Sequence, residues 1–312
     1  MKVLVTGGAG FIGSHIAQTL SRMGATVVVL DDFSTGDRQN LDWSNGNSAL
    51  EVIQGDAGNE SLLAQIVPGC DWVFHQAAVA SVPQSVAHPL ETNRQNMDAT
   101  LKLLIAARDA GVKRFLFASS SAIYGDSSAA SKHESHAPAP VTPYGLQKYA
   151  SERYCQLFHQ LYGLPTVALR YFNVFGPRQS FDSPYSGVIA RFCTLMLRGE
   201  TPVIFGDGGQ SRDFIFIDNI VQANLLAAEA PAERVAGQVF NAGTGESITL
   251  NQLVADINDL TRQNLVARHE PARPGDIRHS QADISALRTA LGCEPKVTWK
   301  DGLAQTLEFY RQ

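Results

Sequence analysis

A short apolar run closed by glycines and followed at once by a helical pattern constrains this chain more than any other feature. Lys2-Val3-Leu4-Val5-Thr6 leads into Gly7-Gly8-Ala9-Gly10-Phe11-Ile12-Gly13, after which Phe11, Ile12, His15, Ile16 and Leu20 recur at helical spacing as far as Met23. A second β-branched run, Thr26 to Leu30, ends in Asp31-Asp32. Strand, turn, helix and strand within about 30 residues make a βαβ unit, and such a unit needs a parallel sheet to bury it.

The alternation continues. Strands are expected at Leu50–Gln54, Trp72–His75, Arg114–Ala118 and Thr166–Arg170, and helices at Asn93–Ala110 and Tyr144–Leu161. The fold class is therefore α/β, a doubly wound parallel Rossmann sheet. After about Asn173 the elements become shorter and mixed: helix near Val188–Leu197, strands near Val203–Phe205 and Asp213–Ile217, then helices at Asn219–Ala228, Leu250–Leu260, Ile284–Leu291 and Gly302–Arg311. Residues 174–312 thus read as a smaller C-terminal α/β substrate lobe beside a Rossmann domain of residues 1–173. No Ser/Gly-rich linker divides them, so the chain is expected to cross between the lobes more than once.

Composition narrows the function. The 25 Lys and Arg against 30 Asp and Glu give a net charge of −5, with no basic run, which argues against a nucleic-acid partner. Apolar runs such as Val27-Val28-Val29-Leu30 fall far short of the roughly 20 residues that cross a bilayer, and the N-terminus enters a strand pattern without a signal-peptide profile. No membrane partner and a cytoplasmic location are expected. The four cysteines, Cys70, Cys155, Cys193 and Cys293, are far apart and lack metal-ligand spacing, so reduced thiols and no metal are expected.

Gly7, Gly10 and Gly13 follow a GxxGxxG spacing. Absent side chains let the backbone turn tightly and approach a pyrophosphate, whose charge meets a helix N-terminus. Glycines in a loop also serve conformation alone, and Asp31 and Asp32 could be plain turn residues. Asp31, however, stands 18 residues beyond Gly13 at the end of the second strand, where a carboxylate accepts both ribose hydroxyls and repels a 2′-phosphate. NAD is favoured over NADP.

Tyr144 and Lys148 lie four residues apart, on one face of a helix that Pro143 helps to start. A free phenol with a pKa of about 10 is a poor base at neutral pH, and a neighbouring cation favours its ionised form. The alternative is a solvated helix face. Ser119, Ser120 and Ser121 follow a strand expected to end near Ala118, at the sheet edge where ligands bind; loop capping is the other reading of these serines.

Taken together, these residues resemble the extended short-chain dehydrogenase/reductase superfamily, and within it the nucleotide-sugar 4-epimerases, most closely bacterial UDP-N-acetylglucosamine 4-epimerases. The likeness runs through TGGAGFIGSH at 6–15, LDDFSTG at 30–36, HQAA at 75–78, SSSAIYG at 119–125, YGLQK at 144–148, RYFNVFGPRQ at 170–179, GDGGQSRDFIFIDN at 206–219, NAGTG at 241–245 and RPGDIRHSQAD at 273–283. It implies an isomerase with tightly bound NAD and a UDP-sugar substrate. Ser120, Tyr144 and Lys148 would be catalytic. Phe11, Ile12, Asp32, Asp56, Ala57, Ala77, Asn96 and Tyr171 would join the glycines and Asp31 around the cofactor.

The same likeness implies the substrate contacts. Ser120, Ser121 and Tyr144 would meet the sugar. Asn173 and Arg212 would reach the diphosphate, Val188 and Phe205 would border the uracil, Arg273 would clamp a phosphate and Asp276 would take a uridine ribose hydroxyl. Four residues beyond that acid, Ser280 is small where a tyrosine would close the space around the sugar's C2 substituent, so an N-acetylated UDP-hexose is expected; UDP-glucose and UDP-galactose are the alternative. A dehydrogenase of another alcohol would leave Arg212, Arg273 and Asp276 without a use. A non-enzymatic scaffold would leave Ser120, Tyr144 and Lys148 without one. A homodimer is implied through pairing of the helices at 93–110 and 144–161, although Met97, Leu101, Leu104 and Ile105 are equally explained by packing on their own sheet.

Overall fold

The β-branched runs lie side by side. The computed structural model describes residues 1–44, 49–127, 129–181, 187–272 and 278–311. In it β1 (Lys2–Thr6), β2 (Thr26–Asp31), β3 (Leu50–Gln54), β4 (Trp72–His75), β5 (Arg114–Ser120) and β6 (Thr166–Tyr171) belong to one seven-stranded sheet whose pairings are all parallel. The order across it is Gln238–Ala242, β6, β5, β4, β1, β2, β3. Strands run outward in opposite senses from β1 and β4, and the crevice at their C-terminal ends is where such sheets bind ligands.

The strands inside the edge strand β3 alternate between two buried faces, as a sheet covered on both sides requires. Val3, Val5, Val27, Val29, Phe74 and Leu116 enter one core, and Leu4, Val28, Leu30, Val73, Phe115 and Phe117 the other. Helix α1 (Phe11–Arg22) covers the first face with Ile16 and Leu20. The second is covered by α2 (Glu60–Ile66), α5 (Ala99–Asp109) and α6 (Pro143–Tyr162), while α3 (Val82–Ala87), α4 (Pro89–Asn93) and a π-helical turn at Arg94–Asp98 lead into α5 and pack against α6. Thr142 caps α6 by accepting from the Gly145 amide at 3.2 Å, Pro143 fills its first turn, and Gly163 ends it in the left-handed region at φ 72°.

Two expected boundaries move. β5 continues past Ala118 to Ser120 because its ladder with β6 holds through Ser119↔Arg170 and Ser120↔Tyr171. The helix expected from Asn93 begins at Pro89, where proline suits a first turn, and passes through the π-helical turn.

The second half of the chain contains β7 (Asn173–Phe175), α7 (Val188–Leu197), β8 (Val203–Phe205), β9 (Ser211–Arg212), β10 (Phe214–Phe216), α8 (Ile217–Glu229) and α9 (Ala232–Val235). Then come β11 (Gln238–Ala242), β12 (Ile248–Thr249), α10 (Leu250–Thr261), β13 (Arg268–Glu270), β14 (His279–Ser280), α11 (Ser285–Leu291) and α12 (Trp299–Arg311). The strand expected at 213–217 is shorter, because the Asp213 carboxylate serves a loop and Ile217 opens α8. β11 joins the large sheet beside β6, and α8 packs against α1 and β5, so chain beyond residue 174 completes the sheet and its cover. The remaining strands pair as β10 with β7, β13 with β8, and β9 with both β12 and β14. All four cysteines are buried free thiols. No helix among the described residues is long and apolar enough to cross a membrane.

Candidate active site

The turn after β1 needs its glycines for space. Gly7 is left-handed at φ 65°, and a Cβ there would come within 2.6 Å of the Ala77 amide nitrogen at the end of β4. A Cβ on Gly13 would lie 2.1 Å from the Gly7 carbonyl oxygen. Gly10 opens α1 with no side chain capping its first amides, which leaves those donors for an anion at the crevice. Asp31 is buried and shapes the same turn: its Oδ2 accepts from the Ala9 amide and its Oδ1 from that of Phe33, both at 2.9 Å. Burial pushes its carboxyl up, and those amide donors pull it back.

A cleft of about 480 Å³ follows this edge. Gly7, Gly10, Phe11, Ile12 and Gly13 line one end, with Asp31, Asp32, Asp56, Ala57 and Ala77 beside them. Asp32 is exposed and holds Ser34, while Asp56 accepts from the Gly58 amide at 2.7 Å and pairs with Arg94 at 3.1 Å. Asn96 is not in the lining. It is buried one layer behind, where Oδ1 accepts from the Val79 amide at 2.7 Å and Nδ2 donates to the Val79 carbonyl at 3.2 Å. The π-helical turn that carries it brings its short side chain to the wall from the back, so it fixes Val79, which does line the cleft.

Tyr144, Lys148 and Ser120 share the middle of the cleft. Lys148 is buried, and its Nζ donates to the Ala118 carbonyl at 2.8 Å and lies 5.0 Å from the centre of the Phe117 ring. Burial draws its ammonium down to about 8. Burial also raises Tyr144, and a hydrogen bond with Ser120 draws it back. A phenol, a hydroxyl and an ammonium converging at a sheet edge can move one proton on and off a secondary alcohol. Tyr171 lines the cleft too, its phenol held by Asn224 at 2.8 Å and by Gln76.

Of the residues expected around the substrate, Asn173 and Val188 line this cleft, whereas Ser121, Phe205, Arg212 and Ser280 do not. Ser121 opens a 3-10 turn beyond β5, and Phe205 sits on β8, paired to Glu270 of β13. Arg212 and Ser280 are brought together as register partners on β9 and β14, with Ser280 half-buried and its carbonyl accepting from the Asp213 amide at 2.7 Å. Arg273 and Asp276 lie outside the described residues.

Gln95 and Gln179 also line the cleft, and the Oε1 of each is buried without a partner among the described residues. Neither stood out in the sequence, because a lone glutamine carries no spacing signal; Gln179 ends the RYFNVFGPRQ stretch and Gln95 precedes Asn96. The cleft fits NAD by its chemistry: a cradle that any Cβ would fill, uncapped helix amides for a pyrophosphate, a carboxylate at the end of β2 and orphaned acceptors in the wall.

Residues 3–243 match the model of the NAD dependent epimerase/dehydratase family. The chain is 43% identical to a UDP-N-acetylglucosamine 4-epimerase from Methanobrevibacter ruminantium in complex with UDP-N-acetylmuramic acid, with a TM-score of 0.95 over 99% of this chain and 98% of that one. A UDP-glucose 4-epimerase from Thermotoga maritima with UDP-glucose is 40% identical, at a TM-score of 0.94 over 100% and 99%. A UDP-glucose 4-epimerase of Mycolicibacterium smegmatis is 37% identical over 100% of this chain and 99% of its own length.

Proposed function

The chain belongs to the NAD-dependent epimerase/dehydratase family, and from that premise we propose that it interconverts UDP-N-acetylglucosamine and UDP-N-acetylgalactosamine at C4. At the coarser level it is an isomerase, an NAD-dependent UDP-sugar 4-epimerase. The observation that carries the reading is that one cleft gathers the glycine cradle, Asp31, Ser120, Tyr144 and Lys148. In this reading residues 1–173 take the cofactor and residues 174–312 hold UDP. Val188 supports that division from the cleft wall, with Asn173 at the boundary, and the sequence offers Arg212, outside the cleft lining, Arg273 and Asp276 as residue types suited to phosphates and a ribose.

Bound NAD supplies the acceptor and donor of hydride for sugar C4. Tyr144 as phenolate takes the O4 proton while the Ser120 hydroxyl holds O4. Lys148, one helical turn along, stabilises the phenolate and holds the nicotinamide ribose. The second lobe keeps UDP anchored while the 4-keto sugar turns over, and Tyr144 returns the proton to O4 after C4 is reduced on its opposite face. No net oxidation results. Positions 121 and 122, Ser and Ala, provide no acid for an elimination.

Ser280 supports the N-acetylated pair. In this reading the small Ser280 side chain, half-buried on β14 outside the cleft lining, does not reach into the space for the C2 substituent as a tyrosine would, and the 43%-identical neighbour is a UDP-N-acetylglucosamine 4-epimerase. A second reading, UDP-glucose and UDP-galactose, is favoured by the 40%-identical Thermotoga maritima structure. NMR of the protein with each UDP-sugar and no added NAD separates them. Turnover of the N-acetylated pair that Ser280→Tyr abolishes, with UDP-glucose turnover kept, is the expected result. A parent protein inactive on N-acetylated sugars overturns the assignment.

We further propose a homodimer. Leu90, Ile105, Leu146 and Leu161 expose apolar side chains on α4, α5 and α6, at 88%, 38%, 56% and 67%, more than packing on their own sheet requires, whereas Leu104 is buried beneath. Sedimentation of the protein is expected to give a two-chain particle.

A further inference from the structure

Tyr144, Lys148 and Glu152 stand at successive turns of one α6 face, and each meets one of the last three residues of β5. Ser120 faces the same cleft as Tyr144, the Ala118 carbonyl accepts from Lys148, and the Ser119 hydroxyl donates to Glu152 Oε2 at 2.7 Å. Arg170, the register partner of Ser119 on β6, forks onto the same carboxylate, Nε to Oε2 at 3.0 Å and Nη2 to Oε1 at 2.7 Å. Ser119, Glu152 and Arg170 are all buried, at 3%, 1% and 4% exposure.

An ion pair this deep is a poor device for stability alone, since well-packed apolar residues commonly serve as well. What a carboxylate accepting three hydrogen bonds from two strands adds is geometry: α6 cannot slide along β5 or rotate without breaking them. The bonds also continue outward. Arg170 Nη1 donates to the Tyr124 hydroxyl at 2.7 Å, which donates to Asn241 Oδ1 at 2.6 Å. Asn241 Nδ2 then holds the carbonyls of Lys132 and Asp283, at 2.8 and 3.1 Å, three residues beyond Ser280 in the latter case.

We propose that Glu152 is a positioning residue that, through Ser119 and Arg170, sets the Ser120 hydroxyl against the Tyr144 phenol. This inference rests on the roles given above to Ser120, Tyr144 and Lys148. Ser119→Ala removes a single hydroxyl and leaves the ion pair intact. It is expected to lower kcat about tenfold, on the scale of one lost hydrogen bond, with KM for the UDP-sugar, bound NAD and Tm nearly unchanged. Ser119→Thr, which keeps the hydroxyl on a strand, restores kcat, and Glu152→Gln loses more than Ser119→Ala. Parental kcat in Ser119→Ala, a KM that rises in step with the loss, or a Ser119→Thr no faster than Ser119→Ala overturns the proposal alone. A parent that turns over no UDP-sugar, or a Tyr144→Phe protein that does, overturns the underlying reading and this inference with it.

Discussion

Tyr144 is where chemistry depends on a single atom. Its phenol is held up by burial and pulled back by Ser120, so the side chain is tuned by its surroundings rather than exposed as an ordinary tyrosine. Tyr144→Phe removes only the oxygen. Fold and cofactor content are expected to persist while turnover falls by a factor on the order of 100 or more, the scale of a lost acid/base; near-parental turnover in an NMR assay would remove Tyr144 from its role. This residue was legible because phenol and ammonium at i and i+4 form a pattern. Glu152 was not, because a carboxylate one turn further along a helix reads as an ordinary surface charge until Arg170 is seen beneath it. Asn96 was implied by the family resemblance but not in its direction: the helical register that aims it at Val79 is set by a π-helical turn, which leaves no mark in periodicity.

At the scale of elements, the central strands were legible because both faces of the sheet are buried and near-continuous β-branched runs such as 26–30 have no other use. The short strands were not. β9, β12 and β14 are two residues each, and their pairing is decided by tertiary contacts rather than by their own sequence. β11 was missed for a related reason, since in Gln238-Val239-Phe240-Asn241-Ala242 the first residue is exposed and the polar Asn241 serves the buried network instead of an apolar stripe. The start of α1 is sensitive to a single substitution. On Gly13 an added methyl meets the Gly7 carbonyl oxygen at 2.1 Å, a backbone atom that no rotamer change can move, whereas on Gly10 the same oxygen is 3.1 Å away. Gly13→Ala is therefore expected to push the start of α1 off the turn, losing most bound NAD and lowering Tm. Gly10→Ala keeps far more of both, as extraction of cofactor and thermal melts will read; equal cofactor content in the two variants would contradict the steric account.

The whole molecule shares one sheet between sequence halves, because β11 and α8 return to it from beyond residue 174. The change of rhythm near Asn173 and a repeated crossing between the lobes were readable, but not which elements would return, since topology depends on which edge is still uncovered. A shared sheet also means that its central residues govern the stability of the whole chain. His75 on β4 is such a residue, fully buried between β1 and β5 with its Nδ1 2.7 Å from the Thr6 hydroxyl and its Nε2 2.9 Å from that of Thr100. Thr100 already donates to the Asn96 carbonyl at 2.6 Å, so Nε2 is the protonated nitrogen and Nδ1 the acceptor. Burial, with Lys148 nearby, takes its pKa down from 6.5 to about 3. Between those values the unfolded chain binds a proton that the folded chain refuses, so stability falls as pH falls through this window. The slope from one such group is about 1.4 kcal/mol per pH unit well below 6.5. His15, drawn down to about 4 by burial and by Arg178, adds to it until the pH nears that value. Urea unfolding measured from pH 7 to 4.5 is expected to show the parent losing stability more steeply than His75→Gln, whose amide can keep one donor and one acceptor but cannot titrate. Parallel slopes in the two proteins would mean that His75 takes up its proton in the fold as readily as in the unfolded chain, and the neutral tautomer wedged between Thr6 and Thr100 would have to be abandoned.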